Sequence, residues 1–387
     1  MSETTASVTA PQASEAPAKA KGEVSIKLFA RTDVGQVREH NEDNFLVADL
    51  TKRVRGLQEE NRVVAVGKNG NIVAVCDGMG GAAAGEVASQ LAVDIIYEKM
   101  IEDVTPETQL TRNEIARRLV RAVEAAGLRI FEAAKSDRTR RGMGTTVTAA
   151  ALVDDHLFLA QVGDSRGYLL REGNLVQVTR DQSLVNQLIE AGQLTEEEAE
   201  TFEHNNIILQ ALGTAETVQV DLTFAELRRG DMLMLCSDGL SGMVRNDEIR
   251  EVLRSTTDPL EACKSLTDRA NAAGGHDNIT VIVAVFDGEG LQPVPAGGEP
   301  VKYRKYALPE EPTDPARKAV PSAVSSSPSD GVSSPIAAAA PANAAQQWAA
   351  EEERIEIPGT HVPAGIVVAL ILAVIALLAG TAFLLLR

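Results

Sequence analysis

The chain has 387 residues, 37 lysines and arginines against 55 aspartates and glutamates, and a net charge of −18. That length accommodates one large domain with appendages or two domains. The charge excludes a nucleic-acid-binding surface, and it would repel a phosphorylated substrate unless local positive charge such as divalent metal offsets it.

In chain order, residues 1–23 are rich in Ala, Ser, Thr, Glu and Pro and lack the large apolar side chains that offset ordering entropy. They are expected to form a disordered tail, and they carry no apolar region of a secretory signal. Strand-like runs follow at 24–30, 44–48, 62–66 and 71–76, and the Asn-Gly signal at Asn69-Gly70 predicts a hairpin between the last two. Apolar spacing predicts a helix over 82–100 through Val87, Leu91, Ile95 and Ile96. It predicts a second over 113–134 through Ile115, Leu119, Val123, Leu128 and Ile130. Strands are expected again at 145–153, 157–162, 167–171 and 175–178. A mostly helical insertion comes next, with a capping box at Thr195 and Glu198. Strands at 218–224 and 231–236, helices at 246–254 and 259–273 and a strand at 279–286 complete an α+β layered domain over 24–287. The cysteines Cys76, Cys236 and Cys263 lie inside apolar segments and are read as buried and reduced, which fits a cytosolic domain.

Residues 288–363 are dominated by Pro, Ala, Ser and Gly and read as a flexible linker with a reach on the order of 50 Å. Residues 364–386 are apolar without a charge, long enough to span a hydrocarbon core of about 30 Å as one transmembrane helix. The expected arrangement is a single-pass C-terminal anchor in the cell membrane, with the preceding domain cytoplasmic. Gly365, Ala369 and Ala373 form a small-residue face, but the abundance of alanine makes chance the better explanation.

Several apolar strands end on carboxylates. The run Val73 to Cys76 ends at Asp77, followed by Gly78-Met79-Gly80-Gly81, and Met232 to Ser237 ends at Asp238-Gly239. Asp164 follows the strand at 157–162, and Asp277 precedes the last strand. A buried strand ending on Asp-Gly places a hard oxygen ligand at a sheet rim beside bare backbone.

The ordered series Arg38-x-x-Asn41-Glu42-Asp43, Asp77-Gly78-Met79-Gly80-Gly81, Gly142-Met143-Gly144-Thr145-Thr146, Gly163-Asp164-Ser165-Arg166, Ser237-Asp238-Gly239-Leu240 and Asp277-Asn278-Ile279-Thr280 resembles the signature of the metal-dependent Ser/Thr protein phosphatases. This is the type-2C or PPM family, and the match runs over about two-thirds of the chain and is similar to its bacterial branch. The resemblance implies a β-sandwich of two antiparallel sheets flanked by helix pairs, and Mn2+ or Mg2+ as cofactor, two ions per site. It implies Asp77 as the ligand bridging the ions, with the Gly78 carbonyl contributing a backbone oxygen and Asp238 and Asp277 completing one shell. Asp164 with Asp238 resembles a third, weaker site. Glu42 and Asp43 would hold metal-bound waters or ligate directly, and Arg38 would clamp the substrate phosphate. The implied reaction is direct attack of a dimetal-bridging hydroxide on phosphoserine or phosphothreonine, with phosphorylated proteins, substrates of Ser/Thr kinases, as partners. Met79 stands where the eukaryotic form carries a histidine and cannot donate a proton to the leaving group. His40 is a candidate substitute donor but is read as a partly exposed strand-end histidine, and His276 as a loop residue rather than an acid catalyst. Hydrolysis of a small phosphoester and a catalytically silent binding module are the competing readings.

Overall fold

A computed structural model describes residues 22–309, apart from 58–62, 81–83, 106, 200, 201, 203 and 205. The expected N-terminal tail up to residue 21, the linker beyond 309 and the apolar stretch 364–386 lie outside the described residues. Among the described residues no helix is long and apolar enough to cross a membrane.

The chain opens with β1 (Ser25–Asp33) and β2 (Asn44–Asp49), followed by β3 (Val54–Arg55), β4 (Val63–Ala65), β5 (Asn71–Cys76) and β6 (Gly78–Met79). Helices α1 (Ala84–Ile101) and α2 (Arg112–Ser136) precede β7 (Gly144–Thr145), β8 (Val147–Val153), β9 (His156–Val162), β10 (Arg166–Arg171) and β11 (Asn174–Gln177). The insertion holds α3 (Leu184–Glu190) and α4 (Glu196–Ala199), with the expected capping box in place: Thr195 N donates to Glu198 Oε2 and Glu198 N to Thr195 Oγ1. Then come β12 (Asp221–Glu226), β13 (Met232–Cys236), α5 (Asp238–Ser241), α6 (Asn246–Ser255), α7 (Pro259–Ala272), β14 (Ile279–Asp287) and β15 (Tyr303–Lys305).

Two antiparallel sheets stack face to face. One has the order β11-β10-β13-β14-β1-β4 and the other β15-β12-β9-β8-β5-β2-β3. Alternate residues of one strand serve two cores because side chains alternate across a strand. In β5, Val73 and Val75 face the core between the sheets, while Ile72, Ala74 and Cys76 face α1 and α2. In β13, Leu233 and Leu235 enter the inter-sheet core, and Met232, Met234 and Cys236 pack under α6 and α7. Strands buried on both faces read as continuous apolar runs rather than alternation. The result is a four-layer αββα sandwich. All three cysteines are buried, and burial pushes the Cys236 and Cys263 thiols up to about 12.

Helix α2 starts at a capping box of Thr111 and Glu114 and buries Ile115, Leu119, Val123, Ala126 and Ile130. Leu128, expected on that face, is exposed, because it falls between the i, i+3 and i+4 positions of the stripe. In α1 the fully buried stripe is Ala88, Ala92, Val93, Ile96 and Met100, while Val87, Leu91 and Ile95 are only partly buried beside it.

Two expectations are corrected. The Asn69-Gly70 turn does not close a hairpin, because β4 pairs with β1 while β5 pairs with β2 and β8. The turn instead carries the chain from one sheet to the other. Asn69 is buried there, donating to Thr108 O and accepting from Leu110 N. The domain also does not stop at residue 287. Leu291 is buried in the inter-sheet core, β15 pairs with β12, and Tyr306 packs edge-on against Phe158. The buried ion pair of Arg171 with Asp231 is joined by Glu299, 4.0 Å from Arg171. Composition placed this segment in the linker because its anchoring side chains are few and widely spaced. A protein ending at residue 287 should therefore melt roughly 10 °C below one ending at 309. Burying two large side chains is worth on the order of 4 kcal/mol, and each kcal/mol moves the midpoint of a domain this size by about 2–4 °C. Equal thermal midpoints would return the boundary to Asp287.

Candidate active site

Five aspartates from five separate segments form one electrostatic cluster. Asp43 immediately precedes β2, Asp77 follows β5, Asp164 lies between β9 and β10, Asp238 opens α5, and Asp277 lies just before β14. Asp43 is raised to about 8, chiefly by burial, with hydrogen bonds from Thr280 and Ser237 opposing and the charges of Asp238 and Asp277 adding. Burial also lifts Asp164 to about 7, with Asp238 and Asp181 adding to the shift. Asp77 is raised well above the ordinary carboxylate range by burial, then by Asp43 and Asp238. Asp238 is raised by burial, with a hydrogen bond from Asp77 opposing and the charge of Asp277 adding. Glu42, next to Asp43, is raised by burial, with Arg38 opposing and Asp277 adding.

The backbone around each carboxylate is tied down. Asp77 N donates to Thr146 Oγ1 at 3.1 Å, and Asp77 O accepts from Thr146 N and Thr145 Oγ1, each at 2.8 Å. The Ser237 hydroxyl donates to Asp43 Oδ2 at 2.8 Å and accepts from Thr280 N at 2.9 Å. The Gln161 amide donates to the carbonyls of Gly163 and Ser165, on either side of Asp164. Asn278 organises the loop that carries Arg38 and Glu42: its Nδ2 donates to Val34 O and His40 O, and its Oδ1 accepts from Glu42 N. Gly78 admits no side chain, since a Cβ there would lie 2.3 Å from Gly85 O and 2.4 Å from Glu42 O.

Asp43 Oδ1, Asp164 Oδ1 and Asp238 Oδ1 are buried without a hydrogen-bond partner. Unpartnered buried carboxylate oxygens in mutual repulsion are costly unless a cation joins them. An all-oxygen donor set fits a hard divalent ion such as Mg2+ or Mn2+. Among the described residues no three carboxylate, thiol or imidazole side chains close on one point as a finished cage. The aspartates are adjacent without converging. Asp277 is turned instead to Arg38, whose guanidinium donates to Asp277 Oδ2 at 2.7 Å. Arg38 is otherwise exposed and presents its remaining N–H groups at the rim.

Thr145 and Thr146 are buried supports of Asp77, and His40 and His276 are exposed. Cavities of about 370 Å3, lined by Phe29, Arg31, Leu260 and Lys264 among others, and about 300 Å3, lined by Arg171, Phe224, Arg228 and Glu299 among others, lie elsewhere. None of the five aspartates lines either one. Ser237, Asn278 and Gln161 were missed as site residues. The first two stand inside the recognised motifs; Gln161 carries no sequence signal, since its partners are set only by sheet pairing.

A family model described as protein phosphatase 2C matches residues 53–273. The serine/threonine phosphatase stp of Listeria monocytogenes is 39% identical over 259 residues, covering 66% of this chain and 94% of that protein. The crystal structure of the Mycobacterium tuberculosis serine/threonine phosphatase PstP/Ppp is similar with a TM-score of 0.57 at 36% identity, over 68% of this chain and 99% of that one. The catalytic domain of PstP in complex with two manganese ions is similar with a TM-score of 0.56 at 36% identity, over the same shares. With the fold, the carboxylate cluster and these relatives in agreement, the chain belongs to the type-2C (PPM) family of Ser/Thr protein phosphatases and is homologous to its bacterial members.

Proposed function

We propose that the protein is a membrane-tethered, Mn2+- or Mg2+-dependent phosphatase that hydrolyses phosphoserine and phosphothreonine in proteins at the cytoplasmic face. The observation that carries this reading is the cluster of buried aspartates with unpartnered oxygens on a phosphatase fold. Asp43, Asp77, Asp164, Asp238, Asp277 and the Gly78 carbonyl would hold two ions and a third, weaker one. When bound, such ions activate water for attack and neutralise the charge of the phosphoryl group. Glu42 orients water at the cluster, and Arg38 receives the phosphate.

The direct test is hydrolysis of a phosphothreonine peptide by residues 22–309 with Mn2+ and with chelator. Turnover should require the metal, and turnover unchanged by chelation would overturn the reading.

Arg38 exchanges its bond to Asp277 for the substrate phosphate. Arg38→Ala should raise KM for phosphopeptides roughly 10- to 100-fold, the range of a hydrogen bond to a charged group, with a smaller change in Mn2+ affinity. Arg38→Lys should restore only part of it, because an ammonium cannot copy the planar guanidinium. An unchanged KM with weakened Mn2+ binding would make Arg38 a holder of Asp277 instead.

The tether rests on residues 364–386, apolar and uncharged. Removing residues 364–387 should release the protein to the soluble fraction with kcat on a peptide unchanged. Dephosphorylation of membrane-bound proteins should fall, because tethering raises effective concentration. A truncated protein that stays with membranes after a high-salt wash would place the anchor elsewhere.

A further inference from the structure

Gln182 lies outside the recognised motifs, yet it grips the loop that carries Asp164 at two points. Its Oε1 accepts from Gly163 N at 2.9 Å, and its own N–H donates to Gly163 O at 2.8 Å. Gly163 has a φ of +101°, and a Cβ there would lie 2.7 Å from Thr146 Cβ. Only glycine fits this turn, and the next residue is Asp164, whose Oδ1 is buried without a partner.

The rest of Gln182 is anchored away from the aspartates. Its Nε2 donates to Asp221 Oδ2 at 3.1 Å, and Lys305 Nζ of β15 donates to the other Asp221 oxygen at 2.9 Å. Its Oε1 also accepts from Gln210 Nε2 at 2.9 Å, and its carbonyl accepts from Leu209 N at 2.8 Å. Gln210 in turn donates to Gln219 O and accepts from Gln219 N. One side chain thus joins the Asp164 loop, the returning arm of the insertion and the start of β12.

We propose that Gln182 is a positioning residue for the metal centre: it aims Asp164 by clamping Gly163, and it ties that aim to the seating of the 206–212 arm and β15. The proposal rests on the reading that Asp164 helps hold a divalent cation. An outer hydrogen bond that fixes a ligand's direction commonly changes metal affinity about 10- to 100-fold when lost. The weakest of the ions, the one assigned to Asp164 and Asp238, should respond most.

The test uses the full-length chain in detergent, with Mn2+ binding followed by calorimetry and exchange of the Gly163 amide followed in the metal-free protein. Gln182→Met fills the space without hydrogen bonds. It should lose protection at Gly163 and weaken the weakest Mn2+ site about 10-fold, with KM for a phosphopeptide unchanged at saturating Mn2+. Gln182→Glu keeps the acceptor for Gly163 N and serves where the methionine variant does not fold; its Mn2+ affinity should follow its Gly163 protection. Mn2+ affinity that stays at the wild-type value while Gly163 protection is lost would overturn the proposal, as would a methionine variant that retains both. So would a glutamate variant whose affinity falls with the amide still protected. A wild-type chain that binds no Mn2+ would instead overturn the metal reading itself, and this inference with it.

Discussion

Asp238→Asn and Asp77→Asn should each lower phosphopeptide turnover by at least about 10³-fold, the scale of losing one preorganised electrostatic partner of the reacting phosphate. An asparagine keeps the shape of the side chain and loses the charge that attracts a cation. The fold should survive, because the backbone around both residues is held by other groups. Asp77 is tied through Thr145 and Thr146, and Gly242 N donates to Asp238 O at 2.7 Å to close the turn of α5. In chelator the variants should melt at or above the wild-type temperature, since each removes one carboxylate from a mutually repelling, buried cluster. Turnover near wild type in both variants at saturating Mn2+ would overturn the assignment of these residues to the metals. Loss of turnover together with loss of the cooperative melt would make them structural instead.

In chelator, the protein should lose stability as pH rises from about 5.5 to 8. The direction follows from protons. Asp43 and Asp164 hold theirs up to about 8 and about 7 in the folded state, while an unfolded aspartate releases its proton near 3.9. Between those values the folded state binds more protons, so raising pH favours unfolding. Their stabilising contribution is complete below about pH 4 and is lost as pH passes through about 7 to 8. Each such group contributes a slope of up to about 1.4 kcal/mol per pH unit, roughly 3–6 °C in the midpoint for a domain of this size. Asp33, Asp155 and Asp221 shift the other way, but they are ionised in both states throughout this interval and leave the slope unchanged. Mn2+ should cancel or reverse the trend, because the ion takes the place of the protons and binds more tightly as the carboxylates ionise. Asp43→Asn should remove its share of the slope. Thermal melts at pH 5.5 and 8, with chelator and with Mn2+, check all three expectations. A midpoint that rises with pH in chelator would mean that these aspartates are ionised in the folded protein throughout.

Much of this molecule is legible along the chain, because period and strand-end chemistry are local properties. Strand β5 at Asn71–Cys76 could be read from its apolar run because both of its faces are covered, and α2 from its stripe and capping box. Asp77 and Asp238 stood out because each ends such a run and is followed by glycine. At Gly239 the reason is visible in space: a Cβ there would lie 2.1 Å from Asn278 O. The features that could not be read depend on partners remote in sequence. Whether the turn at Asn69-Gly70 closes a hairpin or bridges two sheets depends on β1 having a free edge for β4. Whether residues 288–309 belong to the domain depends on a strand edge at β12 and a ring cluster around Phe158. The pairing of Arg38 with Asp277 spans 239 positions, and the grip of Asn278 on the loop before β2 spans 236 or more. The sequence by itself determined which segments become strands and helices and which carboxylates stand at strand ends, since backbone geometry and burial act over a few residues. Only the tertiary structure decided which of those carboxylates share one electrostatic field, and which neutral side chains hold them there, because Coulomb and hydrogen-bond partners are selected by distance in space rather than along the chain.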